Sequence, residues 1–178
     1  DGEEPKYGTD PVNPDTDGDG VSDRDEVTLG SDPLKAVKDQ VYSWELENTE
    51  LDASAVVKGS AAAVLSARLV PAQDQLGGVT GAIGMPVALV SDGDLASGTL
   101  TFHVDPELIP SGDVAVLHFN DDTGEFDRPA VQSVDRSTGT VTVTESVEGM
   151  EAPHIIINGG TSEVTSSDDG VNAAGGSA

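Results

Sequence analysis

The chain contains no cysteine, which excludes disulfides, thiolate zinc sites and thiol nucleophiles together. Bases are almost as scarce: 8 Lys and Arg stand against 33 Asp and Glu, a formal net charge of -25 over 178 residues. A field of that sign repels phosphates, so nucleic acid and anionic lipid are excluded as electrostatic partners, and cations become the natural ligands. With one Trp, two Tyr and three Phe, there is little from which to build the aromatic platform of a sugar-binding cleft. No apolar run approaches the roughly 20 residues that a spanning helix needs, so no membrane insertion is expected. Asp1 opens the sequence without the basic and apolar segments of a signal peptide, which reads as a mature or excised piece.

What remains is enough for one ordinary domain plus a small appendage. The charge is spread along the chain, with -8 over residues 1–40, -14 over 41–160 and -3 over 161–178, so it is a surface property. Asp exceeds Glu and Lys is rare, the balance expected of a secreted protein from a very salty medium, where hydrated carboxylates repel one another behind a screening atmosphere.

An internal repeat organises the N-terminus. At an offset of 22, Asp1 to Pro11 lies over Asp23 to Pro33, with Asp1/Asp23, Glu4/Glu26, Gly8/Gly30, Asp10/Asp32 and Pro11/Pro33 identical. Glu3/Asp25, Tyr7/Leu29 and Thr9/Ser31 are similar, and the chain starts in the middle of a repeat.

Within this segment lies Asp15-Thr-Asp-Gly-Asp-Gly-Val-Ser-Asp-Arg-Asp-Glu26, with carboxylates at loop positions 1, 3, 5, 9 and 12 and glycine at 6. A hard cation takes six to eight oxygens, and alternate Asp side chains point inward as such a loop wraps. Gly20 permits the tight turn that brings the Val21 carbonyl to the ion. Asp23 is expected to act directly or through water, and Glu26, one turn into a short helix, closes the site. The candidate ligands of Ca2+ are therefore Asp15, Asp17, Asp19, Val21, Asp23 and Glu26. At this chain's own Asp and Gly frequencies, such a pattern should arise by accident only about 0.006 times in the whole sequence.

From Val41 to Asn158 the texture changes to short alternating strands, expected at about 41–48, 51–58, 62–70, 84–90, 98–104, 114–120, 126–134, 139–147 and 153–158. Thr99 to Val104 and Thr140 to Thr144 place apolar side chains at every second position, so each buries one face. Asp121 to Gly124 and Asp135 to Gly139 read as hairpin turns. The expected fold is mostly β: an antiparallel β-sandwich over 41–160, preceded by a calcium-binding repeat segment with a short helix over 1–40. Residues 161–178 have little to bury and form a tail or linker, with Thr161 to Thr165 able to add as a strand to a neighbour's sheet edge.

Residues 1–34 resemble thrombospondin type 3 repeats, the calcium-wrapping repeats of extracellular proteins, with Gly-Ser-Asp-Pro as the spacer. The same alignment makes Asp1 and Glu4 resemble positions 9 and 12 of a preceding loop. The strand segments Thr99 to Asp105, Val114 to Gly124 and Ser133 to Val143 resemble β-sandwich modules that accompany such repeats in surface proteins of extremely halophilic archaea. Such modules often end in His-Phe-Ser, where this chain has Glu148 to His154. These resemblances imply an extracellular or cell-surface location and carry no catalytic residue across.

Several alternatives are weaker. His103, His118 and His154 all fall in expected strands, and a partly buried, hydrogen-bonded ring is the expectation over a zinc site. Asp121 with Asp122, or Asp92 with Asp94, offers the two carboxylates of a glycoside hydrolase but in turns. Lys58 facing Asn158 in a dry core would be needed for an isopeptide cross-link. No nucleophile elbow, phosphate loop or HExxH occurs, and Gly81 to Gly84 is an ordinary glycine-rich turn. The sequence thus points to a non-enzymatic, calcium-stabilised structural protein that self-associates, with a carbohydrate-binding or spacer module of a secreted enzyme as the alternative. Its charge makes a prediction: at molar salt the Debye length falls to about 3 Å, so the sandwich's melting temperature should rise on moving from dilute buffer to molar salt. A melting temperature flat across that range would contradict the high-salt reading.

Overall fold

The computed structural model describes residues 4–72, 83, 86–112, 114–120, 125–127, 131–150 and 154–159. Two helical turns come first, α1 (Glu4–Tyr7) and α2 (Asp23–Leu29). Then follow β1 (Tyr42–Asn48), β2 (Ala53–Gly59), α3 (Ala61–Ser66), β3 (Arg68–Pro71), β4 (Val87–Val90), β5 (Leu95–His103), β6 (Val114–Asn120), β7 (Glu125–Asp127), β8 (Val131–Asp135), β9 (Thr140–Met150) and β10 (His154–Gly159). The strands form two five-stranded sheets, β1-β2-β5-β9-β8 and β3-β4-β10-β6-β7, with every pairing antiparallel.

Strict alternation builds the sandwich. In β2, Ala53, Ala55, Val57 and Gly59 are buried while Ser54, Val56 and Lys58 are exposed. In β5, Leu100 and Phe102 face inward between outward Thr99, Thr101 and His103. Their inner faces meet Leu69, Val87, Leu89 and Val116 of the second sheet in one core. Burying each such Val or Leu contributes roughly 1.5–3 kcal/mol, so a core that holds one Phe among the described residues relies on many small contributions. Trp44 and Leu46 pack against it from β1.

The expected strand at 62–70 is instead α3 followed by β3. Ser60 caps the helix, its hydroxyl accepting from the Ala63 amide at 3.3 Å, and three consecutive alanines favour helix where the alternating pattern suggested strand. The expected single strand at 126–134 is two short ones in different sheets, β7 on β6 and β8 on β9. Pro129 between them has no N–H for a continuous ladder. The turn Asp135 to Gly139 forms as expected, its Asp135 carboxylate accepting from the Ser137 amide at 2.9 Å. The turn 121–124 and the tail 161–178 lie outside the described residues.

Among its described residues the repeat segment has no core of its own: Val12, Leu34 and Val37 are exposed, while Val21 and Leu29 lean on the sandwich core. α2 packs beside α3 and β1, so the repeat is seated on one end of the sandwich.

The structure keeps the 22-residue period that the sequence shows. Gly8 and Gly30 follow the two helical turns at φ 77° and 78°, the left-handed geometry that closes a helix and that only glycine enters without strain. The Asp10 carboxylate accepts from the Val12 amide at 3.0 Å, and Asp32 accepts from Leu34 at 3.1 Å. The Asn13 amide bonds the Asp10 carbonyl at 3.0 Å, and Lys35 bonds that of Asp32 at 3.1 Å. Among these residues every turn of the first spacer recurs in the second.

Candidate metal centre

The loop from Asp15 to Gly20 is shaped by its own carboxylates, which draw backbone amides toward them. Asp15 accepts from Gly18 at 2.8 Å and from Gly20 at 3.0 Å. Asp17 accepts from Asp19 at 3.1 Å, and Asp19 from Val21 at 2.9 Å. These side-chain turns wind the chain so that Asp15, Asp17 and Asp19 each offer a carboxylate oxygen within 4.8 Å of the others. Gly20, at φ 102°, makes the reversal that the sequence assigned to it.

α2 closes the site from below. Ser22 caps it, its hydroxyl accepting from the Asp25 amide at 3.2 Å, and Asp23, Asp25 and Glu26 fill the first turn, where negative charge suits the exposed N–H groups. Glu26 is 1% exposed, the most buried charged side chain among the described residues. Its Oε1 accepts from the Ser31 hydroxyl at 3.3 Å, but its Oε2 is buried without a hydrogen-bond partner. The Oδ2 of Asp17 is buried and unpartnered in the same way. A buried ionised oxygen without a partner is costly, and two beside a carboxylate cluster indicate a missing counter-charge. Every donor is a hard oxygen, so the set fits a hard divalent cation such as calcium.

The electrostatics agree with that reading. Burial pushes the Glu26 carboxyl up to about 7, helped by the charges of Asp17 and Asp19 and opposed by the Ser31 hydrogen bond. Burial also raises Asp17, against the lowering effect of the Asp19 amide and with the charges of Asp19, Asp15 and Asp23 adding to the rise.

Of the six residues read from the sequence, the structure brings Asp15, Asp17 and Asp19 together and keeps Glu26 near enough to feel the charges of Asp17 and Asp19. Val21 takes its place in the turn, its amide held by Asp19. Asp23, expected to act directly or through water, accepts on its two oxygens from the Thr16 amide at 2.7 Å and the Thr16 hydroxyl at 2.8 Å, fastening the helix to the head of the loop. Thr16 also accepts from the Asp10 amide at 2.9 Å, which joins the two repeats. The sequence reading missed Thr16, Ser31 and the Val37 amide, which donates to Asp19 Oδ2 at 3.0 Å. A third application of the 22-residue offset would have flagged the last: it sets Val37, Asp39 and Val41 where Asp15, Asp17 and Asp19 stand, so the pattern lapses there and the chain turns back onto the loop.

The other candidates are scattered. His103 is exposed, not partly buried, and its Nδ1 lies 3.2 Å from Asp52, a carboxylate 51 residues away that local sequence did not reveal. It belongs to the first sheet, whereas His118 and His154 belong to the second. Asp92 faces Arg68 at 3.6 Å, while Asp121 and Asp122 lie outside the described residues. Lys58 points outward from β2, away from the dry core that a cross-link to Asn158 requires.

Residues 1–14 and 15–36 match the family model described as Bacterial TSP3 repeat, whose second unit begins at Asp15, the first carboxylate of the loop. Repeats of this family bind calcium, and the match covers about a fifth of the chain. No curated protein and no solved structure matches the chain.

The site makes a two-part prediction. Asp19→Ala should weaken calcium binding by roughly 100-fold, whereas Asp25→Ala, whose carboxylate only meets the Ser22 hydroxyl at 2.9 Å, should change it little. Because the Glu26 carboxyl is raised from its ordinary value near 4.5 to about 7, the fold penalises its ionised form fully above that pH and not at all below the ordinary value. Calcium takes the ionised form, so affinity measured by calorimetry should climb between about pH 6 and 8 and then level. Equal loss in both variants, or an affinity that falls with rising pH, would show that the cation is held elsewhere.

Proposed function

We propose that this protein is a non-enzymatic, calcium-stabilised structural module of the cell surface or extracellular space, a link in a filament, surface layer or adhesin stalk. The observation that carries the reading is the pair of buried, unpartnered carboxylate oxygens, one on Asp17 within the Asp15-Asp17-Asp19 cluster and one on Glu26, inside a calcium-repeat sequence. A repeat that lacks an apolar core and leans on a sandwich makes a stiff joint when a cation fills it, and stiff joints suit a load-bearing chain. The Asp-rich, Lys-poor surface supports a home in strong brine, and the resemblance to surface modules of halophilic archaea belongs to the same reading. Self-association is the proposed partnership. The tail 161–178 is the proposed connecting strand, which would pair with an open sheet edge of the next copy.

The carbohydrate-binding alternative would use the outer face of β1, β2 and β5, where a shallow open groove is lined by Glu45, Leu46, Glu47, Ser54, Ala55, Val56, Thr99 and Thr101. One experiment separates the two. Full-length chain and a version lacking 161–178 are compared by light scattering in calcium at high concentration, with retention on insoluble neutral polysaccharide measured in parallel. The structural reading expects the full chain to assemble, the shortened chain to remain monomeric, and neither to be retained. Monomers of both that bind the polysaccharide would establish the alternative instead, and equal assembly of both would remove the tail from the joint.

A further inference from the structure

The repeat meets the sandwich through a short line of hydroxyls that starts in the core and ends on the metal site. Tyr42 opens β1 and is 5% exposed, its ring packed in the sandwich core. Its hydroxyl lies 3.5 Å from the Ser31 Oγ, which in turn lies 3.3 Å from Glu26 Oε1 and 3.3 Å from the Glu26 carbonyl. Direction follows from proton counting. A serine has one hydroxyl proton, and the carbonyl and the ionised carboxylate that a cation requires can only accept, so in that form Ser31 donates to Glu26 and Tyr42 donates to Ser31. The line fixes Oε1 and leaves the buried Oε2 of the same carboxylate as the oxygen without a partner. A second tie runs alongside: the Val37 amide, in the segment leading to β1, donates to Asp19 Oδ2 at 3.0 Å. The position of Ser31 recurs in the first repeat as Thr9, another hydroxyl residue, which is 8% exposed.

From this geometry we infer that Ser31 and Tyr42 are positioning residues for the cation, and that cation binding and the seating of β1 are one coupled event. The inference rests on the reading of the loop as a calcium site and adds to it a route into the sandwich. Groups that orient a ligand's far oxygen change metal affinity by roughly 10- to 100-fold when removed. Coupling is reciprocal, so what the sandwich does for calcium affinity calcium does for sandwich stability.

The full chain tests this with calcium alone as the probe. Trp44, the single tryptophan, lies two residues along β1 from Tyr42 and packs against the core, so its fluorescence reports the sandwich and not the loop. Calcium in hundred-fold excess over its dissociation constant should raise the Trp44-reported melting temperature by roughly 5 °C or more. Ser31→Ala should weaken calcium binding about 10-fold, and Tyr42→Phe, which keeps the ring and removes only the hydroxyl, should weaken it several-fold and shrink the calcium-induced rise in melting temperature. Ser31→Thr keeps the donor and should restore near-native affinity, as a merely space-filling role for Ser31 would not require. If Ser31→Ala and Tyr42→Phe bind within about two-fold of the native chain, or if Ser31→Thr falls as far as Ser31→Ala, the coupling is wrong although the calcium site stands. If the native chain does not bind calcium at all, both readings fail together.

Discussion

The repeat segment depends on one unfavourable arrangement, the gathering of Asp15, Asp17 and Asp19 close enough for Asp17 and Asp19 to act on the buried carboxyl of Glu26. Backbone amides hold five of the six carboxylate oxygens on the three aspartates, those of Gly18, Asp19, Gly20, Val21 and Val37, but they bring no full positive charge. Glu26 suffers most, being buried and unable to move away because α2 carries it. The charges that act on it, those of Asp17, Asp19 and Asp23, all share its own sign. A divalent cation removes the repulsion in one step and converts the same carboxylates from a strain into a clamp. At a hundred times its dissociation constant, a ligand specific to the folded state adds about 2.7 kcal/mol, comparable to burying one large apolar side chain. For a segment whose Val12, Leu34 and Val37 are exposed, that would be a major part of what holds it.

The sandwich solves a different problem with different means. Its surface charge is spread and its core is made of valine, alanine and leucine, so stability is distributed over two sheets and no single residue dominates. Cross-strand pairs such as Thr99 with Thr144, hydroxyls 3.1 Å apart, add to the ladder without adding charge. The seating of α2 against α3 and β1 joins the two solutions. It lets a segment with too little apolar surface borrow an edge of the core through Val21 and Leu29.

Much of this was legible in the sequence because the relevant signals are local. The loop spacing, Gly20 and the 22-residue period are each encoded within a few residues, and so could be read in place. Alternation gave β2, β5 and β9 for the same reason. The readings that failed required information from elsewhere in the chain. Ala61 to Ala63 became helix because Ser60 caps it, which outweighed an apolar run ambiguous between helix and strand. Residues 126–134 divided because β7 and β8 found partners in opposite sheets, a choice that no local pattern records. The two hydrogen bonds that Asp23 accepts from Thr16 also went unread, because a ligand spacing records nothing of donors held by the same side chain. Ser31 and Tyr42 are 11 residues apart, and only the docking of repeat on sandwich makes them neighbours.

Amide hydrogen exchange on the full chain, with calcium and with a chelator, tests residue by residue whether a cation holds the repeat in its folded, seated form. Calcium should slow exchange at Gly18, Gly20, Val21 and Val37 by about 100-fold, with a smaller slowing at the start of β1, and leave the centre of β5 and β9 nearly unchanged. Exchange in the loop that is equally fast, or equally slow, under both conditions would contradict it.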